Sequence, residues 1–428
     1  MKIKYINNAS IFLEGNNTKV LFDPWFTFDN HSDSNYYNFP ECRYSKKEIT
    51  DLKPDFIYIS HAHPDHFDEI SLNLFGKDIP IIIADMSNPY LLRSLNNIGF
   101  HNILFSKNNR VEMHNNDFCY LEPAETSPEV DSISFFQLDD YKILNVNDNI
   151  ENFAQAERIA KKFGRIDLAC LPYTGFGPYP MSYDSLDREQ KMSAHKQKVI
   201  KAQDNFVEYI QKIRPNYVVP FAGEVLMGGP IKGQVYLFDG SGIGTKRACI
   251  ENAKKKVDCN YLLMSPGCSF DFTKKTFSGE FVDNNFKKHE RYLSEISKKS
   301  GKFEEGGAFY ISEKYRMNLV KTLEKTLINV ENSRLRRKLP IPKRKVFIDI
   351  LEQDHIYELN LKTNTVVTRL RTEDLGEEFE IFKMNYSMLI GLITRHFIWD
   401  NIEEDIHYYR KPNTYDQNLH FLMNFLAL

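Results

Sequence analysis

Seven consecutive residues, Ser60-His61-Ala62-His63-Pro64-Asp65-His66, constrain this chain more than any other stretch. They follow directly on Asp55-Phe56-Ile57-Tyr58-Ile59, whose β-branched and aromatic residues read as a buried strand. Pro64 stops both strand and helix, so the three histidines and Asp65 are expected on a loop at a strand end. Imidazole nitrogens with a carboxylate oxygen suit zinc, iron or manganese. The tight spacing lets His61 and His63 face one ion while Asp65 and His66 face a second. The competing reading is a polar, solvated loop. With only 12 histidines in 428 residues, three in one tight cluster make chance a poor explanation.

A chain of 428 residues, 42% of them hydrophobic, can bury a sizeable core in one large domain or two of ordinary size. Its net charge of -3 argues against a nucleic-acid binder driven by bulk positive charge. Cys42, Cys119, Cys170, Cys249, Cys259 and Cys268 show no C-x-x-C spacing, and the N-terminus carries no apolar signal segment. The expectation is a cytoplasmic protein with reduced thiols. No apolar stretch approaches the roughly 20 residues that a bilayer-spanning helix needs, so no membrane partner is expected.

From the start of the chain, Lys2 to Tyr5, Ser10 to Glu14 and Lys19 to Phe22 read as short strands, with a hairpin turn at Gly15-Asn16-Asn17. Asp23 then precedes Pro24, either as a simple turn former or as a group that fixes the histidine loop by hydrogen bonds. Thr27 to Lys47 is polar, aromatic and aperiodic, long enough to be a functional loop. Ile81 to Ile83 reads as a buried strand and Asn88 to Ile98 as an amphipathic helix, the alternation of a layered α/β domain. Lys142 to Asn147 is an apolar strand that ends at Asp148, whose oxygens could bridge two metals, although Asp followed by Asn also suits a plain turn.

These residues carry a resemblance. His61-x-His63-x-Asp65-His66 after a strand, Asp23 upstream and Asp148 downstream resemble the metallo-β-lactamase superfamily over about the first 270 residues. Ser127 to Asp131 with Lys142 to Asp148, Gly175 to Tyr183, and Pro220 to Gly223 are similar to the metallo-β-lactamase portion of the CMP-N-acetylneuraminate hydroxylases. The resemblance implies an α/β protein with an αββα sandwich of two mixed sheets between helices. It also implies a metal centre held by His61, His63, Asp65, His66 and Asp148, with Asp65 a catalytic residue. Superfamily hydrolases place a further histidine near Ser127 and another where Ala222 stands, and this chain has neither. Glu125 or Glu129 could supply an oxygen instead, or both are solvated loop carboxylates; oxygen-richer coordination favours iron or manganese over zinc.

Leu171 to Pro180 mixes glycines and prolines with aromatics, the composition of a loop with exposed ring faces. In the fold implied it would close over the site. Tyr173, Tyr179 and Tyr183 would then offer hydroxyls to a polar substrate, with Tyr179 also catalytic; the alternative is that these rings pack the loop onto a core. Leu186 to Ile213 reads as a long amphipathic helix, with Arg188, Lys191 and His195 near its start as candidates for an anionic group. Glu313 to Lys338 reads as a second helix, and the chain from Val346 alternates as strands before a helix near Met388 to Phe397. The domains expected are 1–285, the metal-binding sandwich; 286–345, a helical linker; and 346–428, a small α+β domain.

Three functions fit. The first is an iron-dependent, oxygen-activating hydroxylase of a polar metabolite such as a nucleotide sugar, with one or two irons. Because no Cys-x-His pair exists to build a Rieske centre, it would need a separate electron-donor protein. The second is a zinc- or manganese-dependent hydrolase of phosphodiester, amide or lactone bonds. The third is a degenerate fold kept for binding. A homo-oligomer is compatible with each.

Overall fold

A computed structural model describes residues 1–26, 36–86, 89–106, 109–127, 130–174, 177–223, 225–227, 244–283, 291, 294, 309–312, 317–336, 338–403, 405–413, 419, 422–423 and 426. The strand Phe56–Tyr58, which feeds the histidine loop, lies inside an eight-stranded sheet. Its order is Thr276–Ser278, Ser269–Asp271, Lys2–Asn7, Ser10–Glu14, Lys19–Phe22, Phe56–Tyr58, Ile81–Ile83, Ile103–Phe105. A second sheet of seven strands runs Asn260–Tyr261, Tyr217–Phe221, Leu168–Pro172, Tyr141–Asn145, Ser132–Leu138, Phe118–Pro123, Arg110–Glu112.

The two sheets face each other through one apolar layer, with Tyr5, Leu13, Phe22 and Tyr58 from the first meeting Leu121, Phe136, Ile143 and Val219 from the second. Helices cover the outer faces. Lys46–Thr50, Glu69–Leu72 and Tyr90–Asn97 cover the first sheet, and Phe153–Phe163, Arg188–Ile213 and Lys246–Lys254 the second. This is the αββα sandwich expected, with the apolar faces of two sheets and two helix layers buried against one another.

Register decides where the site can form. Lys19–Phe22 runs parallel to Phe56–Tyr58, with Phe22 opposite Tyr58, so Asp23 and Ser60 leave their strands side by side. In the second sheet Tyr141–Asn145, Leu168–Pro172 and Tyr217–Phe221 are mutually parallel, so the loops that begin at Val146, Tyr173 and Ala222 leave the same end. Carboxyl ends of parallel strands are where such layered folds gather ligands. Backbone strain collects there too: Asn8, Asp23, Asn147 and Ala222 all have left-handed φ values of 36°, 39°, 53° and 58°, a conformation that costs an L-residue roughly 1–3 kcal/mol.

The long helix begins at Arg188, where Asp187 and Gln190 form a capping box. The expected loop from Thr27 to Lys47 is only partly described: 27–35 lie outside the described residues, and Tyr36–Asn38 pairs with Val225–Met227 as a small two-stranded sheet.

The C-terminal module is a five-stranded sheet in the order Thr365–Leu370, His355–Asn360, Lys345–Ile350, Phe379–Met384, His407–Lys411, backed by helix Tyr386–Ile393. Helix Leu319–Arg336, expected as part of a linker, packs Leu319, Leu323, Leu327 and Val330 into this same core. An apolar stripe has to be covered, and the neighbouring sheet covers it. Most of 286–308 lies outside the described residues. Among the described residues no helix is long and apolar enough to cross a membrane.

Gly391 sits in the fully buried helix, and a Cβ there would fall 2.0 Å from the Phe397 ring. Gly391→Ala should therefore cost about 1–3 kcal/mol by overpacking. Urea denaturation followed through the C-terminal module would show the loss, and an unchanged midpoint would mean this core is looser than described.

Candidate metal centre

The site is assembled from its supports inward. Asp23 is fully buried and accepts from the Ser60 amide at 2.7 Å and the Ser60 hydroxyl at 2.8 Å, and its Oδ2 lies 2.8 Å from His66 Nδ1. The Asp23 carboxylate thus takes the Nδ1 proton of His66 and leaves Nε2 as the atom with a free lone pair. His61 has an equivalent partner. Its Nδ1 is 3.1 Å from Asp131 Oδ1 and 2.9 Å from Ser60 Oγ. Asp131 is itself held by the Ser132 amide at 2.6 Å and Asn149 Nδ2 at 2.8 Å. Ser132 Oγ donates to the Ser60 carbonyl at 2.9 Å, which ties the two sheets together at the base of the site. Asn8 Nδ2 donates to Asp65 at 3.1 Å.

These supports turn the working atoms toward Asp148. Its Oδ2 lies 3.3 Å from His66 Nε2, 3.7 Å from His61 Nε2 and 4.0 Å from His63 Nδ1. Asp65 Oδ2 is 3.7 Å from His66 Nε2. Two groups could each hold a metal ion: His61, His66 and Asp148, and His63, Asp65 and Asp148. This division differs from the expected one, which put His61 with His63 and Asp65 with His66. Anchoring His66 through Nδ1 brings its ring against that of His61, with centroids 4.1 Å apart.

Burial and His66 and His63 push His61 well below its ordinary pKa, so its imidazole stays neutral. Burial also opposes protonation of His63 and His66. It is outweighed by Asp400 and Asp148 beside the first and by Asp148, Asp65 and Asp23 beside the second, and both are held well above the usual range. Burial would raise Asp148, but His66, His63 and His61 hold it well below. Burial and Asp148 push Asp131 up to about 8. The cluster therefore demands positive charge at its centre, which protons or a divalent cation can supply. His61 Nε2, His63 Nε2 and His66 Nε2 are buried and make no hydrogen bond. Orphaned imidazole nitrogens facing a shared carboxylate fit a metal.

The other expected residues lie elsewhere. Glu125 is 54% exposed and its carboxylate meets Arg158 at 2.7 Å on the surface, so it is no ligand of this cluster. Glu129 lies outside the described residues. Tyr173 is buried among Phe206, Tyr209 and Ile210. Tyr179 and Tyr183 pack onto the C-terminal core, where Tyr183 stacks on Tyr408 at 4.8 Å and accepts from Arg410 at 2.6 Å. Burying the rings outweighs presenting their hydroxyls to a substrate. Lys198 and Lys191 bind the carbonyls of Tyr179 and Met181, both at 2.8 Å, which holds the end of this stretch against the long helix; Gly175 and Phe176 lie outside the described residues. Arg188 is exposed in the first helical turn and His195 is buried within the helix.

Sequence reasoning passed over Asp131 and Asp400. Asp131 immediately precedes the strand Ser132–Leu138, within a stretch already singled out, so a carboxylate aimed at the cluster was findable there. Asp400 Oδ1, 3.3 Å from His63 Nε2, comes from the C-terminal module and has no local signal.

A family profile described as a beta-lactamase superfamily domain matches residues 2–222. The chain is 26% identical over 297 residues to a putative Rieske 2Fe-2S iron-sulfur protein of Mycobacterium tuberculosis, a match covering 65% of this chain and 55% of that protein. The chain thus spans about half the length of that relative. It is 26% identical over 153 residues to the cytidine monophosphate-N-acetylneuraminic acid hydroxylase of Danio rerio, covering 34% of this chain and 25% of the hydroxylase. Among solved structures, a possible metal-dependent hydrolase from Veillonella parvula aligns with a TM-score of 0.45 at 12% identity, covering 63% of this chain and 98% of that one.

Asp23→Asn places an amide donor against the Ser60 hydroxyl and the His66 Nδ1 proton, and should lower metal affinity about 10–100-fold. Glu125→Gln should leave metal content unchanged. Metal titration of both purified variants checks the pair, and the reverse ranking would mean that the ligands lie nearer Glu125.

Proposed function

Because this chain belongs to the beta-lactamase superfamily, we propose that it is a metal-dependent enzyme, and specifically an iron-dependent, oxygen-activating hydroxylase of a polar metabolite such as a nucleotide sugar. The observation that carries the metal-dependent part of this reading is the donor set. Three imidazoles and the carboxylates of Asp65 and Asp148 converge on one centre, with Asp23, Asp131 and Asp400 touching the imidazoles from outside. Ser127 and Ala222 stand where superfamily hydrolases would add nitrogen. With Glu125 on the surface, three imidazoles and two carboxylates suit iron, manganese or zinc alike, so the preference for iron is supported by the relatives rather than by the donors. The names of the mycobacterial and zebrafish relatives, an iron-sulfur protein and a hydroxylase, support the same chemistry.

His61, His63, Asp65, His66 and Asp148 would hold the metal, which when bound would supply oxygen activation. The chain's own contribution is positioning and exposure. Asp23 accepts the Nδ1 proton of His66, and Asp131 and Ser60 face Nδ1 of His61 at 3.1 and 2.9 Å, so both rings present Nε2 inward. Asn8 keeps Asp65 from rotating away. His61 and His66 are fully buried while Asp148 is 34% and His63 26% exposed, so a substrate approaches from the side of Asp148 and His63. This reading requires an electron donor, since the described site holds no redox centre besides the metal.

A second reading is a zinc- or manganese-dependent hydrolase, favoured by the way Asp148 is shared between two ligand groups, as in two-metal hydrolases. Anaerobic purification followed by elemental analysis separates them. One or two irons per chain, lost in His63→Ala, are expected; stoichiometric zinc would replace the hydroxylase with the hydrolase, and absence of any bound or bindable metal would leave a binding fold.

A further inference from the structure

We infer that the C-terminal module is a working part of the metal centre, and that Asp400 is the positioning residue that fixes which nitrogen of His63 faces the metal. This rests on the reading of the cluster as a metal site. Each of the other two histidines shows the same arrangement: one nitrogen turned to Asp148, the other against a buried carboxylate, Asp131 for His61 and Asp23 for His66. Both carboxylates come from the sandwich. The third histidine has no such partner from the sandwich among the described residues. His63 Nδ1 lies 4.0 Å from Asp148 Oδ2, and its Nε2 lies 3.3 Å from Asp400 Oδ1. Asp400 belongs to neither group of candidate ligands, so it meets His63 from outside the cluster. An imidazole exposed on one flank could rotate and offer either nitrogen. A carboxylate 3.3 Å from Nε2 attracts the proton to that nitrogen, although the contact falls outside hydrogen-bond geometry, and so leaves the Nδ1 lone pair for the metal.

Asp400 can do this because its own segment is rigid. It sits in the short 3-10 turn Trp399–Asn401. Trp399 is fully buried and packs edge-on against Phe382 at 5.2 Å, and Asn401 Oδ1 accepts the Ile398 amide at 2.8 Å. The module in turn is fastened to the sandwich. Tyr408 donates its amide to the Ser182 carbonyl at 2.8 Å, the Asp184 amide donates to the Tyr408 carbonyl at 2.9 Å, and Arg410 reaches the Tyr183 hydroxyl. Beside that ladder His407 pairs with Asp184 at 3.1 Å. The aromatic stretch after Pro172 thus carries out a different task from the one its composition suggests: it docks the module whose carboxylate completes the site. Metal affinity consequently reports on docking of a module that contributes no ligand among the described residues.

The test uses the full chain stripped of metal and titrated with Co2+, following its visible ligand-field bands, with melting of the metal-free proteins recorded in parallel. Asp400→Ala should weaken Co2+ binding about 10–100-fold and shift the bands. Asp400→Asn keeps an acceptor oxygen but not the charge, so it should lose less affinity while still shifting the bands. Wild-type affinity and an unshifted spectrum in both variants would overturn the inference. Equal losses in both, accompanied by equally lowered melting of the metal-free proteins, would overturn it in favour of a purely structural role. A wild-type chain that binds no Co2+, matching His63→Ala, would instead remove the metal-centre reading itself.

Discussion

The buried carboxylate–imidazole pairs at one end of the sandwich are the contacts on which the rest of the arrangement depends. An unpaired imidazole in a dry interior has every reason to turn toward water or to a backbone carbonyl, and three of them crowded together repel when protonated. Asp23 and Asp131 remove that freedom for His66 and His61, and Asp148 gives all three rings a common negative focus. Ser60 links the two sides, since its hydroxyl lies within reach of Asp23, His61 and His66 at once. The strained backbone at Asn8, Asp23 and Asn147 is tolerable because these hydrogen bonds and the facing sheets over-determine it.

Much of this was legible along the chain wherever the determining interaction is local. The histidine loop follows an apolar strand and is ended by a proline, the hairpin at Gly15 to Asn17 is turn chemistry, and Asp23 and Asp148 each close an apolar strand. Alternating strands and helices indicate a layered α/β domain, and the αββα sandwich itself is what the superfamily resemblance implies. The outcome was harder to read where long-range packing competes with local composition. Tyr173, Tyr179 and Tyr183 occupy a loop whose glycines and prolines suggest exposure, yet Tyr173 and Tyr183 bury their rings in two separate cores and Tyr179 packs half-buried against the second. Glu125 stands near the position of a missing ligand, but Arg158 on the next helix offers it a partner at the surface. The division of ligands between two groups depends on ring orientation, which spacing in sequence does not encode.

Asp400 illustrates the limit most sharply. Nothing in Ile398-Trp399-Asp400-Asn401 resembles a ligand motif, and its importance exists only because the C-terminal sheet is docked where that turn meets His63. Such a centre draws its electrostatics from two modules, so the stability of their contact and the charge at the metal are coupled. The exposed side of the cluster, at Asp148 and His63, lies beside this junction.

X-ray diffraction from metal-loaded crystals, recorded at the absorption edge of the bound metal, tests the central claim most directly. The account predicts anomalous density enclosed by His61 Nε2, His66 Nε2, His63 Nδ1 and the carboxylates of Asp65 and Asp148. Density at any other position, or none in a crystal grown with saturating metal, would contradict it.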